Sequence, residues 1–209
     1  MECRSCLNDP TALVVADASV AINLNATGFA EPILDALPNR FAVVQEVALE
    51  LAGGRRHGRN DADGLDALVA ADRVHVVQLE NPALEHFTAL VSGPAAETLD
   101  DGEAATIAFA LEHGATALID ERKANRICAE RFSTLTTGCT VDLLAHDAVE
   151  AAIGHDRLAD AVFNALYHSR MRVLAQHVDW VVNLIGPGRA AQCASLPKSV
   201  RFAESSRAG

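Results

Sequence analysis

Short apolar runs alternate with segments of helical periodicity along this chain, and this alternation constrains the fold more than any other feature. The first run, LVVA at residues 13–16, is followed from Ser19 by a helical pattern. Later runs predict four more strands, at residues 41–44, 74–79, 115–119 and 135–137. Runs that are apolar throughout are typical of strands buried on both faces. Their alternation with helices predicts a mostly parallel central sheet that is covered by helices on both sides.

The stretches between and after the strands carry apolar residues at helical spacing. They predict helices at residues 45–54, 65–73, 82–91, 101–113, 121–132 and 141–152. Residues 158–185 have the same spacing and predict one or two helices appended to the sheet domain. We therefore divide the chain into a leader, an α/β domain, appended C-terminal helices and a flexible tail, at residues 1–11, 12–153, 154–185 and 186–209.

Length and composition exclude several classes of protein. A chain of 209 residues can bury a core without disulfides or structural metals. No run approaches the ~18 uninterrupted apolar residues of a membrane helix, and the first residues lack the pattern of a secretory signal, so we predict a cytoplasmic protein. Cys3 and Cys6 form a CxxC pair, but no second pair follows at zinc-site spacing, and a metal knuckle is not favoured.

The formal net charge of −11 argues against a protein whose whole surface attracts nucleic acid. It leaves open a nucleic-acid enzyme whose acids are gathered around cations. It also favours a basic protein as a partner.

Acidic residues stand at the ends of predicted strands and at the starts of helices. Each has a structural explanation when it is taken singly. Asp17 follows the first strand and can cap the next helix, since Asp accepts hydrogen bonds from free N–H groups there. Asp120 holds the equivalent position after the strand at 115–119, and Asp100 with Glu103 fits a variant of the capping box. Glu50 lies on an amphipathic helix and, taken alone, is explained as a solvated charge.

Taken together, these acids predict a metal site. The carboxyl ends of parallel strands meet at one edge of an open sheet, where ligands bind, so Asp17 and Asp120 are expected to lie close together. The winding of an α/β fold lets Glu50 and Glu103 face the same cleft. Carboxylates held close together repel one another unless cations neutralise them. Ligand sets made only of oxygen suit Mg²⁺ or Mn²⁺.

At these acids the chain resembles the PIN-domain nucleases, especially their VapC-like and predicted-nuclease branches. The matching segments are VVADASVAINL, VVQEVALEL, LDDGEAATIAFALEHGA and ALIDERKANR. The resemblance covers residues 13–144 and implies a PIN-like three-layer α/β/α fold, to which the C-terminal helices are appended. It also implies a ribonuclease that hydrolyses RNA phosphodiester bonds with Mg²⁺ or Mn²⁺ and leaves a 3′-hydroxyl and a 5′-phosphate.

The resemblance assigns roles to individual residues. The catalytic and metal-binding acids that it implies are Asp17, Glu50, Glu103 and Asp120. Glu121 is implied as a further metal ligand, because the last acidic motif varies by one residue within the family, and Ser19 matches a supporting hydroxyl residue. Glu103 departs from the Asp that many members carry in the third motif. The sequence leaves open whether Asp100 or Asp101 shares its role.

Two groups of basic residues flank these acids and are candidates for RNA binding. One group follows the Glu50 helix and the other follows Asp120: Arg55, Arg56, Arg59, Arg122, Lys123 and Arg126. In so acidic a chain they could hold a phosphate backbone. Solvation, or pairing with local acids, accounts for them equally well.

The sequence thus predicts an RNA hydrolase, with the role of toxin in a toxin–antitoxin pair as one version and a basic antitoxin as its partner. The family resemblance also suggests a homodimer. The alternative is a PIN-like module that binds nucleic acid or regulates with little catalysis. Motifs of other enzyme classes, such as GxxxxGK[ST], GxGxxG after the first strand, HExxH and GxSxG, are absent from the sequence.

Overall fold

The fold is built around a five-stranded sheet with the strand order β3-β2-β1-β4-β5. A computed structural model of the chain describes Leu7 and residues 9–201. The strands are β1 (Leu13–Ala16), β2 (Arg40–Val44), β3 (Val74–Val77), β4 (Thr116–Leu118) and β5 (Thr137–Gly138). All four pairs of neighbouring strands are parallel. The predicted parallel sheet is therefore confirmed.

Helices flank this sheet and continue beyond it at the C-terminal end. In chain order the described residues form α1 (Ala18–Ala26), α2 (Ala30–Ala36), α3 (Gln45–Gly54), α4 (Asp61–Ala70), α5 (Asn81–Val91), α6 (Asp101–His113), α7 (Arg122–Arg131), α8 (Thr140–Leu144), α9 (Asp147–Ile153), α10 (His155–His168), α11 (Val178–Ile185), α12 (Pro187–Ala190) and α13 (Lys198–Arg201). Two 3₁₀ turns, Arg55–His57 and Ala175–His177, join α3 to α4 and precede α11. An α/β fold with extra C-terminal helices is thus observed, as predicted.

The strand order places a reversal of the winding between β1 and β4. From β1 the chain adds β2 and β3 on one side, and it then returns to add β4 and β5 on the other side. Ala16 pairs with Leu118 near the ends of β1 and β4, and the backbone N–H of Asp17 donates to the carbonyl of Leu118 at 3.1 Å. In open parallel sheets, ligands bind outside the carboxyl ends of the strands at such a reversal.

Helix α6 lies against the centre of the sheet and is buried along most of its length. Every residue from 104 to 110 is buried, and this stretch contains four alanines. The small side chains let the helix approach β1, β2 and β4, which it contacts. Because the body of the helix is fixed in the core, its first turn is held at the carboxyl edge of β1.

The C-terminal helices share the core of the sheet domain. Helix α10 packs on α1, and the side-chain amide of Asn164 donates to the carbonyl of Thr27 at 3.1 Å. The segment 186–201, where the sequence predicts a tail, contains α12 and α13 and buries Cys193 and Leu196. Residues 1–6, 8 and 202–209, which include Cys3 and Cys6 and parts of the predicted leader and tail, lie outside the described residues.

The helix predicted at residues 141–152 is divided into α8 and α9. The division occurs at His146, whose side chain caps α9 by accepting a hydrogen bond from the N–H of Ala148 at 3.2 Å. No helix in the described part of the chain is both long and apolar enough to cross a membrane.

Candidate active site

Acidic side chains from several elements meet in one pocket at the reversal between β1 and β4. The pocket has a volume of about 290 Å³. We call it the acidic pocket, after the acids that line it: Asp17, Glu50, Asp100, Glu103, Asp120 and Glu121. The structure therefore brings together the four acids singled out in the sequence, with Glu121 and Asp100 beside them. Asp101 is exposed on the first turn of α6.

Asp17 caps helix α1 and also faces the acidic pocket. Its Oδ1 accepts hydrogen bonds from the N–H of Ser19 at 2.5 Å, the hydroxyl of Ser19 at 2.8 Å and the N–H of Val20 at 3.1 Å. Among the described residues, no donor reaches Oδ2. One carboxylate oxygen thus holds the helix, and the other is left for a ligand.

Asp120 is buried and held from behind by hydrogen-bond donors. Its Oδ1 accepts from the N–H of Thr140 at 2.8 Å. Its Oδ2 accepts from the Thr140 hydroxyl at 2.5 Å and from the side-chain amide of Asn23 at 2.6 Å. Asn23 in turn accepts from the hydroxyl of Ser169 at 2.7 Å, so the segment after α10 helps to orient Asp120. Asp120 does not cap α7, whose N-cap is Glu121.

Glu103 and Glu50 approach the pocket from α6 and α3. Asp100 is the N-cap of α6 but makes no side-chain capping bond, so the predicted capping box with Glu103 does not form. Gly102 lies directly against Glu50, because a Cβ atom at residue 102 would stand 2.8 Å from Glu50 Oε2. The glycine therefore makes room for the Glu50 carboxylate.

Three carboxyl groups of the pocket have pKa values above their ordinary range: Asp17, Glu103 and Asp120. Burial, followed by the charge of Asp120, raises the pKa of Asp17 to about 7. Burial, followed by the charges of Asp17, Asp100 and Glu121, raises the pKa of Glu103 to about 7. Burial also raises the pKa of Asp120 despite its three donors. Burial thus disfavours the charged forms of these three acids.

A family model described as a PIN domain matches residues 13–187. The chain belongs to the PIN-domain family. The match extends over α10 and α11. No curated protein and no solved structure matches the chain. PIN domains are generally nucleases, and the parallel sheet with its acidic pocket is nuclease-like.

Glu121 has a different environment from the other acids of this PIN domain. Its carboxylate forms an ion pair with Arg172, which lies in the segment between α10 and the 3₁₀ turn at Ala175–His177. Arg170 and Arg172 both line the acidic pocket. No sequence pattern marks these two arginines, because they lie far along the chain from every acidic motif.

The basic residues singled out in the sequence fall into separate places. Arg55 pairs with Asp63 at 2.7 Å and Asp66 at 2.5 Å, and Arg56 is exposed beside it. Burial and the charge of Asp100 raise the pKa of Glu50, and the charge of Arg59 partly offsets this rise.

The second basic group lies on α7. Lys123 and Arg126 donate to the carbonyls of Ala95 at 2.7 Å and Ala96 at 3.0 Å, and thus tie α7 to the loop before α6. Arg122 lines a groove next to the acidic pocket.

A second group of metal-capable side chains lies behind the pocket: Cys139, Asp142 and His177. All three are buried, and each offers one ligand atom within 4.8 Å of the others. Asp142 lies between the other two residues and contacts both. Asp142 Oδ2 accepts from the N–H of Cys139 at 2.9 Å, and Asp142 Oδ1 lies 3.3 Å from His177 Nε2. Burial would raise the pKa of Asp142, but His177 and Cys139 hold it below its ordinary value.

Sequence reasoning did not identify the residues that support Asp120. Asn23 is four positions after Ser19 on α1, so the two side chains share a helix face, and this spacing was the available signal. No such spacing marks Thr140 or Ser169, because their hydrogen-bond partners lie far away in the sequence. The same is true of His177, which lies beside Asp142.

Proposed function

We propose that this PIN domain is a divalent-metal-dependent ribonuclease that hydrolyses RNA phosphodiester bonds in the acidic pocket. The observation that carries the proposal is the convergence of Asp17, Glu50, Glu103 and Asp120 at the winding reversal of a PIN-domain sheet. Membership of a family of nucleases supports the hydrolytic reaction, and the oxygen-only acids support a hard divalent cation.

The donor set of the pocket fits Mg²⁺ or Mn²⁺. Carboxylate oxygens are the ligands that these ions prefer. Asp17 Oδ2 accepts no hydrogen bond from the described residues, and it borders the same pocket as Glu103. Asp17, Glu103 and Asp120 would hold the ion, with Glu50 at the edge of the pocket. When bound, a divalent ion supplies activation of the attacking water and stabilisation of the charge that develops on the phosphate.

The chain's own residues supply position and orientation. Ser19 and Val20 fix Asp17 through Oδ1 and leave Oδ2 without a donor among the described residues. Thr140 and Asn23 fix both oxygens of Asp120. Hydrogen bonds to ligating carboxylates of this kind typically change metal affinity or activity 10–100-fold when they are lost.

Cleavage by an Asp17→Asn variant tests the proposal. Asn keeps the capping oxygen of Asp17 but removes the charge, so the fold is expected to survive. We expect cleavage of a labelled single-stranded RNA in Mn²⁺ to fall by at least about 100-fold, since loss of a supporting contact alone costs up to that much. Asp156→Asn, at an exposed position on α10, is the matched control. Equal cleavage by Asp17→Asn and wild type would refute the site.

The net charge of −11 supports a further part of the proposal, in which a basic antitoxin restrains the enzyme as a toxin. Growth arrest on expression of the wild type, but not of Asp17→Asn, is the expected result.

The competing function is a binding or regulatory module. Intact RNA after incubation with Mn²⁺ and the wild type, together with RNA binding, would favour that module.

A further inference from the structure

We infer that a groove next to the acidic pocket binds backbone phosphates of the RNA strand that the pocket cleaves. The groove has a volume of about 470 Å³, and its polar lining includes Arg122, Arg170 and Arg172. We call it the arginine groove. The inference rests on the proposed function, since it names the path by which the substrate of that site would run.

Two of the arginines are presented by a short anchored segment. Arg170 and Arg172 are exposed, whereas the intervening Met171 and the following Val173 are buried. The alternation directs the two guanidinium groups away from the core. Met171 is fixed by a backbone hydrogen bond of 3.1 Å from its N–H to the carbonyl of Ala165, so the segment is held in place next to the pocket.

The groove is continuous with the acidic pocket. Arg170 and Arg172 line both cavities, so a strand that leaves the pocket on this side meets the arginines directly. Arg122 reaches the groove from the first position of α7, immediately after Glu121. Three cationic side chains from two separate parts of the chain thus border a single opening.

The charges of the groove are available to an anion. Among the described residues, neither Arg122 nor Arg170 forms an ion pair, whereas Arg55 is already engaged by Asp63 and Asp66. Arg172 forms an ion pair with Glu121, so its charge is partly balanced within the chain. Within the part of the chain that the structure describes, no acidic residue lines the arginine groove. In a chain of net charge −11, this concentration of unpaired positive charge is matched by an anionic ligand.

Phosphodiester groups fit this arrangement better than other anions. A guanidinium group donates two parallel hydrogen bonds to phosphate oxygens and stays charged at all relevant pH values. A phosphate inside the acidic pocket can be balanced by metal ions, but its neighbour along the strand requires a separate counter-charge. Contacts of this kind set the position of a strand without reading its sequence.

The double variant Arg122→Ala with Arg170→Asn tests the groove without disturbing the pair of Arg172 with Glu121. Asn is chosen at residue 170 because φ there is 57°, a left-handed conformation that Asn tolerates. The matched control is Arg131→Ala, at the opposite end of α7. The parent protein, the double variant and the control all carry Asp17→Asn, so that RNA stays intact during the binding measurements.

Fluorescence anisotropy with a labelled single-stranded RNA in Mn²⁺, repeated over a range of KCl concentrations, gives the dissociation constant. We expect the double variant to weaken binding at least about tenfold at low salt. The plot of the logarithm of the association constant against log[KCl] should become less steep by about 1.4, the value for two lost phosphate contacts on a single strand. With Asp17 restored, the same variant should raise KM while kcat stays close to that of the wild type.

The outcomes separate the groove from the nuclease. If the wild type cleaves RNA but the double variant binds it as the Arg131→Ala control does, the inference is overturned and the proposed function stands. If binding depends on Arg122 and Arg170 while the wild type leaves RNA intact, the groove stands and the nuclease proposal fails. Tighter, arginine-dependent binding of duplex DNA would overturn the assignment to RNA.

Discussion

Asp17 and Asp142 are both buried aspartates at the start of a helix, but the chain treats their charges in opposite ways. Asp142 faces His177 at 3.3 Å and has a pKa below its ordinary value. Asp17 receives three hydrogen bonds, yet its pKa is about 7 because burial and the charge of Asp120 outweigh them. Capping bonds alone therefore do not compensate a buried carboxylate. Asp142 has neighbours within the chain that lower its pKa, whereas the contacts of Asp17 do not offset its burial.

Neutralising Asp142 should lower the free energy of unfolding, whereas neutralising Asp17 should not. This contrast is the largest effect that we expect. Asp142→Asn removes a buried hydrogen-bond acceptor that faces His177 and Cys139, and should lower the free energy of unfolding by about 1–3 kcal/mol. Asp17→Asn removes a repelled charge and should leave that free energy unchanged or higher at pH 8 without metal. Urea unfolding at pH 8 in EDTA measures both. Changes of the same sign in the two variants would remove the contrast.

The pH dependence of stability sharpens the same contrast. Asp17 and Glu103 have folded-state pKa values of about 7, above those of the unfolded chain, so the folded state binds more protons between about pH 4 and pH 7. The stability that they contribute is complete at low pH and is lost as the pH rises through 7. Without metal, the melting temperature should therefore fall between pH 5.5 and pH 8.

A Glu103→Gln variant isolates this effect. We expect its melting temperature to fall by at least about 2 °C less than that of the wild type over the same pH range. The groups outside residue 103 are the same in both proteins and cancel in the difference, and Asp142, with its lowered pKa, is already ionised at pH 5.5. Identical pH profiles for the two proteins would show that Glu103 does not carry the shifted titration.

The smallest expected effect separates the geometry of the pocket from its stability. Gly102→Ala places a Cβ atom 2.8 Å from Glu50 Oε2, so the flexible end of Glu50 must move. Alanine should stabilise α6 by up to about 1 kcal/mol, while RNA cleavage falls several-fold. Gly53→Ala, in α3 and with no atom within 4 Å of its Cβ position, is the matched control. Equal cleavage by both variants would show that the position of Glu50 is unimportant.

The sequence was sufficient for the sheet and for the acids at its edge. The central residues of β1 and the last four residues of β2 are buried, as is all of β4, and Asp17 and Asp120 directly follow apolar runs, so local pattern located them. The winding rule for parallel sheets then predicted that they would meet. The pocket did bring together Asp17, Glu50, Glu103 and Asp120.

The supporting residues could not be predicted because they depend on contacts between distant parts of the chain. Asn23 and Asp120 are 97 positions apart, and Ser169 and Asn23 are 146 positions apart. No local periodicity marks a residue whose only purpose is to orient another across such a separation. The arginine groove and the pair of Asp142 with His177 have the same origin, since both join the C-terminal segment to the sheet domain.

Calorimetric titration with Mn²⁺ at pH 8 tests most directly whether the acidic pocket is completed by a cation. The proteins are the wild type, the double variant Asp17→Asn with Glu103→Gln, and Asp142→Asn at a temperature where it is folded. We predict binding at millimolar or lower concentration by the wild type and by Asp142→Asn, and none by the double variant. No binding by the wild type, or binding that is lost with Asp142 and kept by the double variant, would contradict the account.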